Sequence, residues 1–204
     1  MIATFLLLTT LTFKVPSMDC AACARPVGRT LASIAGVSNV HVNPKEKTAT
    51  VDVAERFDRE VIREKLLNAG FFIQFADEKE PKLAPLPDDV LKTLDIATFD
   101  GSRPVDFNKV PVPGKITIVD VYADWCGPCK TIELRLQHFV QGKNIAIRRI
   151  NIGNWNTQFA RHISSAFHFS AIPYLRVYDA NGKLVGSVYG MWDELLDTVE
   201  KASK

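Results

Sequence analysis

The sequence predicts two domains, an α+β sandwich followed by an α/β domain, and three observations support this division. The chain has 204 residues, which is enough for two small domains. In its first part, short alternating apolar runs are interleaved with runs of helical periodicity. A charged, proline-rich stretch then precedes a longer apolar run and further helical patterns. We therefore expect domains at 1–76 and 90–204, joined by a linker at 77–89.

The first domain is predicted to contain, in order, a strand, a helix, two strands, a helix and a strand. Gly36 is expected to end the first helix as a left-handed cap, and Gly70 to end the second. This βαββαβ order predicts a split-βαβ, ferredoxin-like sandwich. The strands are expected near residues 11–15, 37–42, 49–53 and 71–75, and the helices near 27–34 and 61–69.

The linker combines a charge run with closely spaced prolines. We expect the charges of Asp77–Glu80 to be simply solvated. Pro81, Pro85 and Pro87 predict an exposed, semi-rigid segment.

The second domain begins with a mostly apolar strand at 116–123 that is rich in β-branched residues. Such a composition is typical of a strand buried on both faces of a sheet. A hairpin turn is expected at 179–182. The remaining strands are expected at 145–152, 175–178 and 184–189, and the helices at 128–139, 156–167 and 192–201.

The amino-acid composition and the cysteine spacing exclude several classes of function. Hydrophobic content of 47% and charged content of 24% are ordinary for a globular protein. A formal charge of +2 without a basic cluster argues against nucleic acid as a partner. All four cysteines lie in two Cys-x-x-Cys pairs, which excludes a small secreted disulfide scaffold and indicates metal ligation or redox exchange. We expect a monomer.

The N-terminal run Ile2–Phe13 has two interpretations. It has no Lys or Arg before the apolar residues, has no small-residue cleavage site, and is too short to span a bilayer. We therefore favour a strand with an apolar lead-in and a cytoplasmic protein. The alternative is a degenerate signal peptide, or the end of one that starts upstream, and it would place the protein in the periplasm or cell envelope.

The second pair, Cys126 and Cys129, lies where a strand is expected to end and a helix to begin. Helix N-terminal amides stabilise a thiolate there, and Pro128 suits the first turn. This predicts an accessible attacking thiol at Cys126 and a shielded resolving thiol at Cys129. The alternative is a zinc site, which needs four ligands. The nearby histidines, His138, His162 and His168, do not have the spacing of such a site.

The residues around this pair resemble the thioredoxin family. The string Asp120–Lys130 reads DVYADWCGPCK, Ile172–Pro173 falls where the family has its cis-proline, and Gly190 matches the glycine after the last strand. The resemblance covers about 95–202 and implies a thioredoxin fold with a redox-active Cys126–Cys129 disulfide.

The resemblance also implies the roles of five residues. Cys126 would be the nucleophile and Cys129 the resolving thiol. Asp120 would be a buried carboxylate that relays the Cys129 proton, with its pKa raised by desolvation. Pro173 would border the substrate groove, and Trp125 would form part of the contact surface.

Three departures distinguish this chain from an ordinary thioredoxin. Arg149 stands where a lysine usually lies near the buried carboxylate, so the proton balance of that site should differ. Tyr174 follows the cis-proline in place of threonine, so substrate contacts should differ. The stretch 153–156 is atypical, and 122–125 looks closer to envelope thiol-transfer domains.

The first pair, Cys20 and Cys23, lies on a loop that leads into a helix. Two thiolates at this spacing can bind a soft cation in an open site. Met18 is interpreted as a core anchor for this loop. The alternative is a second redox pair, but neither a Trp nor a Gly-Pro accompanies these cysteines.

The loop and the βαββαβ order resemble the heavy-metal-associated domain of metallochaperones and soft-metal ATPases, over about 11–76, with Ser17 in place of a glycine. The resemblance implies metal ligation by Cys20 and Cys23. Asp19 would add a hard ligand, which favours Zn(II) or Cd(II) over Cu(I) or Hg(II). The alternative is that Asp19 only caps the following helix.

Together these patterns predict a thiol–disulfide oxidoreductase that carries a soft-metal-binding domain. Its protein substrate would be a disulfide linked to metal handling, in a metal-transporting ATPase, in a metallochaperone or at Cys20–Cys23 itself. The alternative is a metallochaperone or heavy-metal detoxification carrier in which the second domain serves for docking.

Overall fold

The computed structural model describes residues 8–18, 21–79, 83–102 and 105–204. The chain divides into two compact units, Met1–Ala84 and Pro85–Lys204. Among the described residues, no helix combines the length and apolar character needed to cross a membrane.

The first unit is a four-stranded antiparallel sheet with two helices, as the ferredoxin-like prediction requires. The sheet order is β2-β3-β1-β4, so the first and third strands lie in the centre. The elements are β1 (Leu8–Lys14), a 3₁₀ turn (Ala21–Cys23), α1 (Ala24–Ala32), β2 (Val37–Asn43), β3 (Thr48–Ala54), α2 (Glu60–Asn68) and β4 (Gln74–Phe75).

Alternation along β3 shows why these residues form a one-sided sheet. Ala49, Val51 and Val53 are buried, while the residues between them are partly exposed. The buried side chains face those of the two helices, including Val27 and Ile62, and so form one core.

Two boundaries differ from the sequence prediction. α1 ends at Ala32, so Gly36, although left-handed at φ +84°, lies after a further turn instead of directly capping the helix. The closing strand is only Gln74–Phe75, paired with Phe13 and Lys14, because the chain before it is not hydrogen-bonded as a strand. Gly70 follows α2 with φ +86°, as expected of a helix end.

The prediction that the charge run is only solvated is wrong at its first two residues. Arg59 donates two hydrogen bonds to Asp77. Arg63, which is buried, pairs with Glu78 and donates to the carbonyl of Ile73. A buried guanidinium must be neutralised, so Glu78 is part of the first domain and not of a free linker.

The second unit is a five-stranded sheet with the order β5-β7-β6-β8-β9. The first three of these strands are mutually parallel, and the last two are antiparallel to their neighbours. The elements are α3 (Asp88–Leu91), β5 (Ile96–Phe99), β6 (Ile116–Tyr122), α4 (Gly127–Val140), β7 (Ile145–Asn151), α5 (Gln158–Phe167), β8 (Tyr174–Tyr178), β9 (Leu184–Val188) and α6 (Trp192–Ala202).

The central strand β6 is buried on both faces, as its composition predicts. Ile118 packs with residues of α4 and α6, whereas Val119 and Val121 pack with residues of α5. This alternation places Asp120 on the same face of the sheet as Ile118, beneath α4. The edge strand β5 is not predicted from the sequence, because four residues are too few to show a period.

Candidate functional site

Cys126 and Cys129 lie where β6 leads into α4, and their sulfurs form a disulfide bond of 2.04 Å. Cys126 is the N-cap of the helix, and its Sγ accepts a hydrogen bond from the Cys129 amide at 3.3 Å. Cys126 is 5% exposed and Cys129 1%. The helix N-terminus can therefore stabilise a thiolate at Cys126, which is also the more accessible sulfur.

Asp120 lies on β6, and its side chain is fully buried. Burial raises the pKa of Asp120 to about 6, because removal from water penalises the charged form. The positive charge of Arg149 opposes this effect without cancelling it. The carboxyl group is thus able to gain or lose a proton near neutral pH.

Arg149 joins two carboxylates beside this site. Its Nε donates to Asp120 Oδ2 at 3.1 Å, and its Nη1 donates to Glu133 Oε1 at 2.6 Å. Its guanidinium carbon also lies 3.7 Å from the centroid of the Tyr122 ring. Glu133 was not identified from the sequence, although its position four residues after Cys129 places it on the same face of a helix.

Pro173 follows a cis peptide bond and lies against Gly190. A Cβ at position 190 would lie 2.8 Å from Pro173 Cγ, and Gly190 also has φ +69°. Only glycine satisfies both conditions without strain. The turn after β9 is therefore packed directly against the proline.

Exposed apolar side chains lie on this face of the second domain. Trp125 is 51% exposed, and its Nε1 donates to the carbonyl of Gly153 at 2.6 Å. Tyr189 and Met191, on either side of the glycine turn, are also exposed. The sequence analysis identified Trp125 but missed the other two, since their exposure depends on how β9 packs.

Tyr174, the residue after the cis-proline, contributes to this surface indirectly. Its side chain is buried, and its hydroxyl donates to the carbonyl of Phe167 at 3.1 Å. Its ring stacks on Phe169 and lies 5.1 Å from the ring of Tyr189. Tyr174 therefore supports an exposed tyrosine instead of presenting its own ring to a substrate.

Among the described residues, no ligand set accompanies Cys126 and Cys129 that would make a zinc site. Within the described ranges, no group of three or more His, Cys, Asp or Glu side chains is placed to hold a metal ion. The two residues of 85–204 outside these ranges, Arg103 and Pro104, are not metal ligands. The described surroundings of Cys126 and Cys129 thus add no ligand set to the two sulfurs, which are joined as a disulfide.

The first cysteine pair is described only in part, since Asp19 and Cys20 lie outside the described residues. Cys23 ends the 3₁₀ turn before α1, is 8% exposed, and its sulfur is part of a disulfide bond. Met18 is fully buried in the core, as the sequence predicts, and Ser17 Oγ accepts a hydrogen bond from the Phe72 amide at 3.2 Å. The burial of Met18 and the hydrogen bond at Ser17 hold the start of the loop against the first domain.

Comparison with known proteins identifies both halves of the chain. A family model of the heavy-metal-associated domain matches residues 12–72, and the thioredoxin model matches residues 104–201. The chain is a heavy-metal-associated domain fused to a thioredoxin domain. The second domain is similar to thioredoxins at modest identity, and the ferredoxin-like and thioredoxin folds predicted from the sequence are confirmed.

Individual relatives match one or both regions. The protein named probable thioredoxin-2 of Caenorhabditis elegans is 28% identical over 140 residues, which is 66% of this chain and 93% of that protein. The COP-associated protein of Helicobacter pylori is 34% identical over 59 residues, 29% of this chain and 89% of that protein. The crystal structure of oxidized MerP from Ralstonia metallidurans covers 35% of this chain and all of that chain, at 25% identity and a TM-score of 0.33.

Proposed function

We propose that this protein is a thiol–disulfide oxidoreductase that reduces a protein disulfide linked to metal handling, and that its first domain binds a soft or borderline metal ion. One observation supports the enzymatic part above all others. Cys126, joined to Cys129 in a disulfide, caps the N-terminus of α4, and the same domain buries the carboxyl group of Asp120 on β6, the strand that leads into that helix. That arrangement supplies a stabilised thiolate and a group that exchanges a proton near neutral pH.

The proposed reaction starts from the reduced pair. The Cys126 thiolate attacks one sulfur of the target disulfide, forms a mixed disulfide and releases the other target sulfur as a thiolate. Cys129 then loses its proton to Asp120 and attacks Cys126. The bond between Cys126 and the target breaks, the second target sulfur leaves as a thiolate, and the Cys126–Cys129 disulfide forms. Two electrons have passed to the target, and an external thiol donor restores the reduced pair.

The metal site would consist of Cys20, Cys23 and Asp19. Two thiolates fit soft cations, and a carboxylate adds a ligand that suits Zn(II) or Cd(II) better than Cu(I) or Hg(II). The disulfide at Cys23 must be reduced first, because metal ligation requires thiolates. A redox domain on the same chain could supply that reduction, or act on the same motif in a metal-transporting ATPase or metallochaperone.

Insulin-disulfide reduction in the presence of dithiothreitol tests the enzymatic proposal. The wild type and Cys20→Ser should both accelerate the reaction, whereas Cys126→Ser should not exceed the dithiothreitol background. Equal rates for wild type and Cys126→Ser would overturn the proposal, and would favour a metal carrier with a docking module.

Metal titration of the fully reduced protein tests the first domain. We expect one ion of Zn(II) or Cd(II) per chain, lost in Cys20→Ser and Cys23→Ser and retained in Cys126→Ser. Asp19→Asn should weaken Zn(II) binding and leave Cu(I) binding nearly unchanged. Unchanged stoichiometry and affinity in Cys20→Ser would exclude this site.

A further inference from the structure

The guanidinium of Arg149 is shared between two carboxylates in an unusual way. In arginine, Nε and Nη2 lie along one edge of the planar group, and a carboxylate on that edge normally accepts from both. Here Nε donates to Asp120 Oδ2, but Nη1, on the opposite edge, donates to Glu133. Within the part of the chain that the structure describes, Arg149 Nη2 and Asp120 Oδ1 are buried atoms without a hydrogen-bond partner.

A hydrogen bond from Arg149 Nη2 to Asp120 Oδ1 would complete a bidentate contact between the two side chains. The contact between Arg149 and Asp120 is therefore half made, although the buried position would favour the full one. The contact from Nη1 to Glu133 is the shorter of the two made by the guanidinium, at 2.6 Å against 3.1 Å. Glu133 thus holds the guanidinium in the orientation that leaves the contact to Asp120 incomplete.

The other groups around Asp120 do not explain this orientation. On β6, Tyr122 contributes its ring to Arg149, and burial raises the pKa of its phenol, so it stays neutral. On β8 the residue paired with Asp120 is Leu175, which is apolar. From α4, Glu133 is the charged group that contacts Arg149, and Gln137, one turn after it, donates to the same Glu133 Oε1 at 3.3 Å.

We propose that Glu133 is a positioning residue that divides Arg149 between two carboxylates and so keeps Asp120 able to accept and return a proton during resolution of the mixed disulfide. This inference rests on the proposed function. A bidentate Arg149 would stabilise the carboxylate of Asp120 and make it a weaker base for the Cys129 proton. Sharing the guanidinium neutralises part of the buried charge without locking Asp120 in its ionised form.

The test replaces Glu133 in the full-length protein and follows Asp120 directly. Glu133→Ala removes the second acceptor, and Glu133→Gln removes its charge while keeping its size. In the oxidised protein, the ¹³C chemical shift of the Asp120 carboxyl group reports its titration without any turnover. We expect the midpoint to fall by about 0.5 to 1 on the pH axis, more in Glu133→Ala, as the guanidinium turns towards Asp120. Glu194→Gln, on an exposed part of α6, is the control for the change in net charge.

The rate of resolution supplies the second readout. The release of a fluorescent thiol from a mixed disulfide at Cys126 should show an acid limb moved to lower pH and a plateau lowered about threefold or more, as expected for a weaker base. A general loosening of the structure would lower the rate without moving the acid limb. The proposal fails if the Asp120 midpoint is unchanged relative to Glu194→Gln, or rises, in both variants. If the midpoint falls but the wild type does not reduce insulin, the positioning role stands and the proposed enzymatic function fails.

Discussion

The two Cys-x-x-Cys loops share a spacing but differ in the helix that follows them. Cys126 caps the 14-residue helix α4, and its sulfur receives a backbone hydrogen bond. Cys23 precedes the nine-residue α1 through a 3₁₀ turn, and its side chain makes no capping hydrogen bond. Cys126 therefore lies where helix N-terminal amides favour a thiolate. The corresponding residue of the first loop, Cys20, lies outside the described residues.

The loops also differ in what lies beneath them. The second loop lies over a domain that buries an ionisable carboxyl group, Asp120. Beneath the first, Met18 fills the core, and the buried polar or charged side chains of the described part of that domain are Ser17 and Arg63. A thiol pair that must pass a proton needs a buried ionisable group such as Asp120 nearby. A pair that must hold and release a metal ion needs only a loop that is anchored to the domain. The residues around each Cys-x-x-Cys loop, more than the motif itself, therefore indicate whether the loop is suited to redox exchange or to metal binding.

The largest effect is expected from Cys129→Ser. Without the resolving thiol, the mixed disulfide at Cys126 cannot be released internally, so turnover with insulin should fall by about two orders of magnitude or more. The adduct with a disulfide substrate should accumulate and be visible on a non-reducing gel. Cys23→Ser is the matched control, because it removes the corresponding thiol of the first loop. Substrate trapping by Cys23→Ser instead would reverse the assignment of the two loops.

Met18→Ala should destabilise only the first domain. The methionine is fully buried, and truncation leaves a cavity that costs about 3 kcal/mol of unfolding free energy. All three tryptophans lie in the second domain, so tryptophan fluorescence reports that domain alone, whereas far-ultraviolet circular dichroism reports both. An early transition should appear by circular dichroism with no change in fluorescence. A fluorescence transition that shifts equally would show that the two units do not unfold independently.

Asp120→Asn should remove a pH dependence of stability from the second domain. The folded pKa of about 6 lies above the ordinary 3.8, so the proton is bound more tightly in the folded state. The stabilisation is complete below pH 3.8 and is lost as the pH rises through 6. The free energy of unfolding of the wild type, relative to Asp120→Asn, should therefore fall by about 3 kcal/mol at most between pH 4 and pH 8.

Urea denaturation followed by tryptophan fluorescence measures this difference at each pH. Asp197→Asn, on an exposed position of α6, is the control and should follow the wild type. A constant difference between wild type and Asp120→Asn across this range would contradict a raised pKa of Asp120.

The smallest effect concerns Glu78, at the end of the first domain. Glu78→Gln removes the charge that neutralises the buried Arg63, and should cost the first domain about 1–2 kcal/mol, because Glu60 and the Ile73 carbonyl remain as partners. Asp77→Asn breaks the neighbouring but exposed pair with Arg59 and should leave stability almost unchanged. Circular dichroism melting compares the two variants, and equal effects would place Glu78 in solvent.

The order of elements was predictable because it depends on local patterns. Alternation at Ala49, Val51 and Val53 indicates a one-sided strand, and the mostly apolar Ile116–Tyr122 indicates a strand covered on both faces. The strand β5 and the short β4 were mispredicted or missed, because their limits are set by hydrogen bonds to other strands and not by their own residues.

The sequence by itself determined the two folds, the positions of both thiol pairs and the contrast between them, since a motif and its neighbours are read within one stretch of chain. The tertiary structure alone decided that Arg149 is divided between Asp120 and Glu133, and that Tyr174 supports Tyr189. These contacts join residues that are far apart along the chain. Their geometry follows from strand register and packing. The sequence around each of these residues does not predict which distant residue it will contact.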